Sequence, residues 1–232
     1  MSLEEWIERD GLRCFKVKLV GSDVDGDVER TAQVAEVIVG TYDCMGREDR
    51  FSLSTDSTEN NPDPASVVEY LEKLRVRSPL AYESLLYVEQ PTERDLSAHR
   101  FDMWEITRYK PVVADEGITD VEKVRLAREL GWSGVGLKTC KGHSSSLLYV
   151  AMCTEFGMRY TLQDLTNPGL SLVHEAGLAA RINPLLGFEY NARQFLPGAA
   201  PDLQARHASL FIVREGEVST DTLAPLGLGY RL

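Results

Sequence analysis

In the stretch "SLLYVEQPTERD", residues 84–95, four apolar residues lead directly into Glu89. The stretch "KPVVADEGITD", residues 110–120, repeats the pattern, with three apolar residues leading into Asp115. Short apolar runs of this kind are typical of strands buried in a parallel sheet. Each of the two strands is therefore predicted to finish in a carboxylate.

Strand patterns alternate with helical patterns along the rest of the chain. A strand followed by a helix, repeated several times, predicts βαβ units and a parallel sheet. The predicted strands are residues 14–20, 51–55, 86–89, 112–115, 134–138, 160–163 and 187–190. The predicted helices are residues 3–9, 28–39, 64–76, 120–130, 145–156 and 170–180.

The predicted strand ends recur at a nearly constant interval. Successive spacings along Glu89, Asp115, Lys138, Gln163 and Glu189 are 26, 23, 25 and 26 residues. A period near 25 predicts one repeating βα unit, as in a (β/α)₈ barrel. Seven strands are found where a closed barrel has eight, and a helical pattern precedes the first of them. We therefore predict one α/β domain over residues 1–232, a TIM-type (β/α) barrel that lacks its first strand.

Composition narrows the class of protein. The 232 residues are 43% hydrophobic, which is enough for a sizeable core, and the 25 basic and 36 acidic residues give a net charge of −11. The basic residues are scattered, so nucleic acid is not an expected partner. No apolar run reaches the length of about 18 residues that a membrane span needs, and no signal peptide is recognisable, so we expect a cytoplasmic protein without a membrane partner. The four cysteines form no C-x-x-C pair and are expected to be reduced thiols.

Three carboxylates are expected to meet at one end of the sheet. Asp56 ends the stretch "FSLSTD", residues 51–56, just as Glu89 and Asp115 end the next two strands. The carboxyl ends of parallel barrel strands converge on one mouth, where three acids would repel one another unless a cation lay between them. Oxygen ligands favour Mg²⁺, with Mn²⁺ also acceptable. The alternative is that each acid only ends its strand or caps the next helix.

Lysines are predicted at the same mouth. In "CFKVKLV", residues 14–20, Lys16 and Lys18 share one face of the strand because side chains alternate, and Lys138 ends the strand in "GVGLKTCKG". These lysines could simply form salt bridges with the carboxylates. Alternatively, a desolvated lysine near a metal ion has a lowered pKa and can remove a proton.

Together, these motifs resemble the barrel domain of the enolase superfamily, on its mandelate racemase and muconate-lactonizing side. The resemblance is carried by "KVK", Asp56, "VEQP", "ADEG", Lys138 and the terminal "EGEVSTDTLAPLGLGYRL", residues 215–232. It implies that a separate capping domain, which this chain has no room for, covers the mouth in relatives. It also implies a Mg²⁺-dependent enzyme that removes the α-proton of a small carboxylate substrate through an enediolate, as a racemase, epimerase or cycloisomerase.

The resemblance implies roles for particular residues. Asp56, Glu89 and Asp115 would bind the metal, Lys18 and Lys138 would be the two bases, and Lys16 would orient Lys18. Relatives are commonly homo-oligomers, so an oligomer is expected. The alternative left open is a barrel domain that does not catalyse on its own and serves as a structural or assembly unit.

Some positions depart from the family pattern. Thr58 stands where relatives often have Asn, and Lys141-Gly142-His143 replaces the usual Gly-Gly pair. The strand in "YTLQDLTNPG", residues 160–169, carries no histidine, which favours lysine chemistry over histidine chemistry. Glu189 and Asn191 are expected to contact substrate. Asp164 is either a polar residue of the mouth or, as we favour, an N-cap of the following helix.

Overall fold

Seven parallel strands form the sheet, in the order in which they occur along the chain. The protein is described here from a computed structural model that covers residues 1–223 and 227. The remainder of the terminal motif, residues 224–226 and 228–232, lies outside the described residues. The strands are β1 (Cys14–Lys18), β2 (Ser52–Asp56), β3 (Leu85–Glu89), β4 (Val112–Ala114), β5 (Gly134–Leu137), β6 (Arg159–Gln163) and β7 (Phe188–Glu189).

Helices connect the strands, as the alternating pattern predicted. The long second helix begins four residues earlier than predicted because the Asp23 side chain accepts a hydrogen bond from the backbone N–H of Gly26 at 3.0 Å and caps it. Several helices of four to six residues were not predicted, since they are too short to show a helical period. The helices are α1 (Leu3–Asp10), α2 (Val24–Cys44), α3 (Pro64–Arg77), α4 (Pro79–Ser84), α5 (Trp104–Thr107), α6 (Val121–Glu129), α7 (His143–Phe156), α8 (Leu170–Ala179), α9 (Ala192–Phe195), α10 (Pro201–Arg206) and α11 (Ala208–Phe211), with a 3₁₀ turn at Thr139–Lys141.

The sheet curls until its two edges approach each other. β1 and β7 are the edge strands among the described residues, yet Lys16 Nζ on β1 lies 2.6 Å from Glu189 Oε2 on β7. An ion pair of that length between the two edges requires strong curvature of the sheet. The fold is therefore an open, curled (β/α) barrel of seven strands, which confirms the predicted class.

Strand register brings the predicted site residues side by side. Lys18 is the Cα partner of Asp56 across β1 and β2, and Asp56 is the partner of Glu89 across β2 and β3. Alternate residues of these strands, such as Val17, Leu53 and Val88, are buried in the hydrophobic core. Because successive side chains of a strand point to opposite faces, the sheet separates the charged site residues from these core residues.

The segment after the last helix closes against the first helix. Arg214 and Glu217 form an antiparallel bridge, and the N–H of Gly216 in this turn donates to the Asp10 carbonyl at 2.7 Å. Gly11 ends α1 at φ 65°, and a Cβ there would lie 2.7 Å from the Glu215 Cα, so a larger residue would clash and be strained. The end of α1 thus packs against residues 214–217.

Two further expectations can be compared with the structure. Within residues 1–223, no helix combines the length and hydrophobicity needed to cross a bilayer. All four cysteines are free, three of them exposed and Cys153 buried.

Candidate active site

The three predicted metal-binding carboxylates end adjacent strands and are buried. Asp56, Glu89 and Asp115 expose 2%, 1% and 1% of their surface, so they lie almost out of reach of water. Asp56 and Glu89 are register partners, and Asp115 follows the last residue of β4. The structure thus places the three predicted acids at the ends of three neighbouring strands.

Lys16 lies between the carboxylates of both sheet edges. Its Nζ is 2.8 Å from Glu89 Oε1, 2.6 Å from Glu189 Oε2 and 3.5 Å from Asp56 Oδ2. Burial alone would lower the pKa of this lysine, but the three carboxylates outweigh burial and raise the pKa well above its usual value. Lys16 is therefore held as a fixed positive charge.

Lys18 contacts the same cluster from a more open position. Its Nζ pairs with Asp56 Oδ2 and lies 3.3 Å from Thr58 Oγ1, while 60% of the side chain remains exposed. Thr58 also donates its backbone N–H to Asp56 Oδ1 at 2.7 Å. The residue that departs from the family pattern therefore supports Asp56 directly.

Lys138 approaches the cluster from the other side of the mouth. Its Nζ pairs with Asp115 Oδ2, and Lys141 Nζ lies 3.4 Å from Asp115 Oδ1, so the two lysines bracket one carboxylate. Burial would lower the pKa of Lys138, but Asp115 more than offsets it and the pKa is raised. The lowered pKa expected of a lysine near a metal ion stays a prediction, because Lys138 contacts the Asp115 carboxylate directly.

The pKa of Glu89 reflects its burial and the charges around it. Burial raises its pKa to about 8; Lys16 opposes that shift, while the carboxylates of Asp56, Glu189 and Asp115 add to it. Gln163 Nε2 donates to Glu89 Oε2 at 2.7 Å, which satisfies the oxygen that Lys16 does not contact. Glu89 therefore lies where additional positive charge would be stabilising.

The donor set has the chemistry of a site for a hard divalent cation, although the described residues are not arranged as one. Within residues 1–223 and 227, no group of three His, Cys, Asp or Glu residues is placed to hold a metal ion. Instead, each of Asp56, Glu89 and Asp115 contacts a lysine ammonium group. Three buried carboxylates offer the oxygen ligands that Mg²⁺ and Mn²⁺ prefer. In the described arrangement, lysine ammonium groups contact the oxygens that such an ion would need.

The remaining candidate site residues, Glu189, Asn191 and Asp164, have different surroundings. Glu189 forms an ion pair with Lys16. Asn191 Nδ2 donates to Glu189 Oε1 at 2.7 Å and to the Asp164 carbonyl at 3.1 Å. Asp164 is 1% exposed and accepts backbone N–H groups of Asn167 and Ala192. It does not cap α8, whose N-cap is Gly169, because its carboxylate joins the loop after β6 to the start of α9.

Sequence reasoning missed several residues that shape the mouth. Gln90 Oε1 accepts the N–H groups of Asp115 at 2.8 Å and Gly117 at 3.0 Å, which fixes the end of β4. Gln163 could have been found, because it ends a strand at the same interval as the acids. Glu116 and Glu175 are also near the mouth; burial raises the pKa of both, to about 8 for Glu175.

The fold and the site together define a class: an open (β/α) barrel whose mouth joins carboxylates from β2, β3 and β4 with lysines from β1 and the end of β5. The sequence profile described as enolase C-terminal domain-like matches residues 2–232. The chain therefore belongs to the enolase C-terminal domain-like family. A search of curated proteins finds no match.

Solved structures share the fold at low sequence identity. Muconate lactonizing enzyme from Klebsiella pneumoniae is 18% identical, with a TM-score of 0.64 over 83% of this chain and 50% of that chain. The L-Ala-D/L-Glu epimerase from Bacillus subtilis is 19% identical, with a TM-score of 0.67 over 83% and 50%. A mandelate racemase/muconate lactonizing protein from Herpetosiphon aurantiacus is 22% identical, with a TM-score of 0.68 over 83% and 51%. The chain spans about half the length of these structures.

Proposed function

We propose that this chain carries the proton-transfer site of a Mg²⁺-dependent enzyme that removes the α-proton of a small carboxylate substrate. The observation that carries the proposal is the placement of two lysines, Lys18 and Lys138, on different sides of one buried carboxylate cluster. Family membership supports the general class. Racemisation or epimerisation fits two opposed lysines best, and a cycloisomerase would need only one of them.

In this proposal Asp56, Glu89 and Asp115 hold the cation. When bound, Mg²⁺ supplies positive charge beside the substrate carboxylate, without which an α-proton is too weakly acidic for an amine to remove. The lysines must then leave the carboxylate oxygens that they occupy in the described arrangement. Lys18 is the freer of the two bases, since its side chain is mostly exposed.

Lys16 and Lys138 differ in what they contribute. Lys16 keeps Glu189 as a partner at 2.6 Å even without Glu89, so it remains a fixed charge that orients its neighbours. Lys138 is buried and its raised pKa keeps it protonated, which suits the delivery of a proton. Lys18 would remove the proton from one face of the α-carbon, and Lys138 would return one to the other.

Exchange of substrate α-protons with deuterated water tests the proposal. A panel of 2-substituted carboxylates with Mg²⁺ is followed by proton NMR for the parent, Lys138→Ala and Lys18→Ala chains. Each variant should lose exchange of the enantiomer whose α-proton faces the substituted lysine by about 10²-fold or more, the usual contribution of a general acid or base. Lys110→Ala, at a lysine that lies over the Tyr82 ring, is the matched control and should exchange like the parent.

Two observations favour the alternative of a barrel domain without independent catalysis. The carboxylates are paired with lysines, and the chain spans about half the length of the structures it matches. Under this alternative the parent chain shows no exchange with any member of the panel, and the lysine substitutions change nothing.

A further inference from the structure

Glu175 is a fully buried acid on α8 that the proposed reaction does not use. It is 0% exposed and lies on a helix whose other buried residues include Leu172, Val173 and Ala176. Placing an ionisable group in such surroundings costs free energy unless the group forms a specific contact. The position therefore calls for a contact that this side chain alone provides.

That contact is with the backbone next to Lys138. Glu175 Oε1 accepts the N–H of Thr139 at 2.7 Å, while its Oε2 has no hydrogen-bond partner among the described residues. The ladder between β5 and β6 ends at the pair Leu137 and Leu162. The N–H of Thr139 thus lies beyond the last register pair, and a side chain from α8 satisfies it.

The backbone on the other side of Lys138 is also tied. The N–H of Lys141 donates to the Lys138 carbonyl at 3.0 Å, and the N–H of Gly142 donates to the Thr139 carbonyl at 3.0 Å, which forms the 3₁₀ turn. In such a turn, residues three apart lie on the same side, so Lys138 and Lys141 both reach Asp115. Glu175 thus contacts the first residue of this turn.

We propose that Glu175 is a positioning residue for Lys138, holding the Thr139 N–H so that the Lys138 ammonium stays against Asp115 at the mouth. The functional meaning of this position rests on the proposed role of Lys138 in proton transfer. Burial raises the pKa of Glu175 to about 8, with Thr139 opposing the shift, so the carboxyl accepts the N–H at neutral pH without adding a buried charge.

Acetylation of lysines by limiting acetic anhydride, read by mass spectrometry, tests this without metal or substrate. Glu175→Met removes the acceptor at similar size, and Glu175→Gln retains an oxygen for the Thr139 N–H. Releasing the ammonium from Asp115 frees a side chain that is 8% exposed in the parent, so Lys138 should react severalfold faster in the Met variant. The Gln variant should stay within about twofold of the parent, because it keeps the hydrogen bond.

Lys16 provides the internal control, since it lies in the same mouth but contacts Glu89 and Glu189. A rise confined to Lys138, with recovery in the Gln variant, supports positioning. An unchanged Lys138 rate in the folded Met variant overturns it, and so does a parallel rise at Lys16, which means that the whole mouth has loosened. Failure of the proposed reaction would be seen separately, as absence of α-proton exchange in the parent chain.

Discussion

The buried carboxyl of Glu175 should contribute stability that is lost as pH rises, and Glu175→Gln should remove that contribution. The folded-state pKa is about 8, against an ordinary value of 4.5, because burial disfavours the charged form. The folded protein therefore binds a proton that the unfolded chain releases above pH 4.5. The contribution is complete below pH 4.5 and is lost as pH rises toward 8.

The magnitude follows from the two pKa values. A difference of about 3.5 between them corresponds to about 5 kcal/mol, at roughly 1.4 kcal/mol for each tenfold change in the proton equilibrium. Glutamine keeps the shape and the oxygen that accepts the Thr139 N–H at 2.7 Å, but it does not titrate. Between pH 4.5 and pH 9, the free energy of unfolding of the variant should therefore rise by several kcal/mol relative to that of the parent.

Urea unfolding followed by tryptophan fluorescence at intervals of pH measures this gain. Glu155→Gln, at an exposed position on α7, is the matched control and should follow the parent at every pH. If the difference in free energy of unfolding between Glu175→Gln and the parent changes by less than about 1 kcal/mol over this range, the pKa of the buried carboxyl is not raised in the folded protein.

Two further predictions concern local structure. Thr58 has φ 49°, which strains a β-branched residue. Thr58→Asn should therefore raise the free energy of unfolding, measured by urea titration, by about 0.5–1 kcal/mol. Thr58→Val keeps the branch and should show no gain. Asp10 is 4% exposed and accepts hydrogen bonds from Arg9 and Arg193. By the same assay, Asp10→Ala should lower the free energy of unfolding by about 3 kcal/mol. A loss below about 0.5 kcal/mol would show that these ion pairs do not hold α1 in place.

The sequence predicted the strands and the main acids because both leave a local signal. Glu89 and Asp115 each end an apolar run, and the constant interval between strand ends indicated a barrel without any knowledge of contacts. Gln163 ends a strand at that interval too, but its neutral side chain drew no chemical interpretation. Its hydrogen bond to Glu89 depends on how β3 and β6 face each other across the curled sheet.

Other features could not be predicted because they depend on the three-dimensional path of the chain. The pair between Lys16 and Glu189 joins the two edges of the sheet and exists only because the sheet curls. Glu175 lies within an ordinary helical pattern, and nothing in that pattern indicates that it faces Thr139. Asp164 was expected to cap α8, yet its carboxylate reaches the start of α9, which is too short to recognise from a helical period.

Isothermal calorimetry measures Mg²⁺ binding by the parent chain, by Asp115→Asn and by Asp202→Asn, an exposed control on α10. The parent and the control should bind Mg²⁺ alike, and Asp115→Asn should weaken binding by about tenfold or more because one of three carboxylate ligands is lost. Absence of binding by the parent, or equal affinity in all three chains, would contradict the claim that Asp56, Glu89 and Asp115 form one cation site.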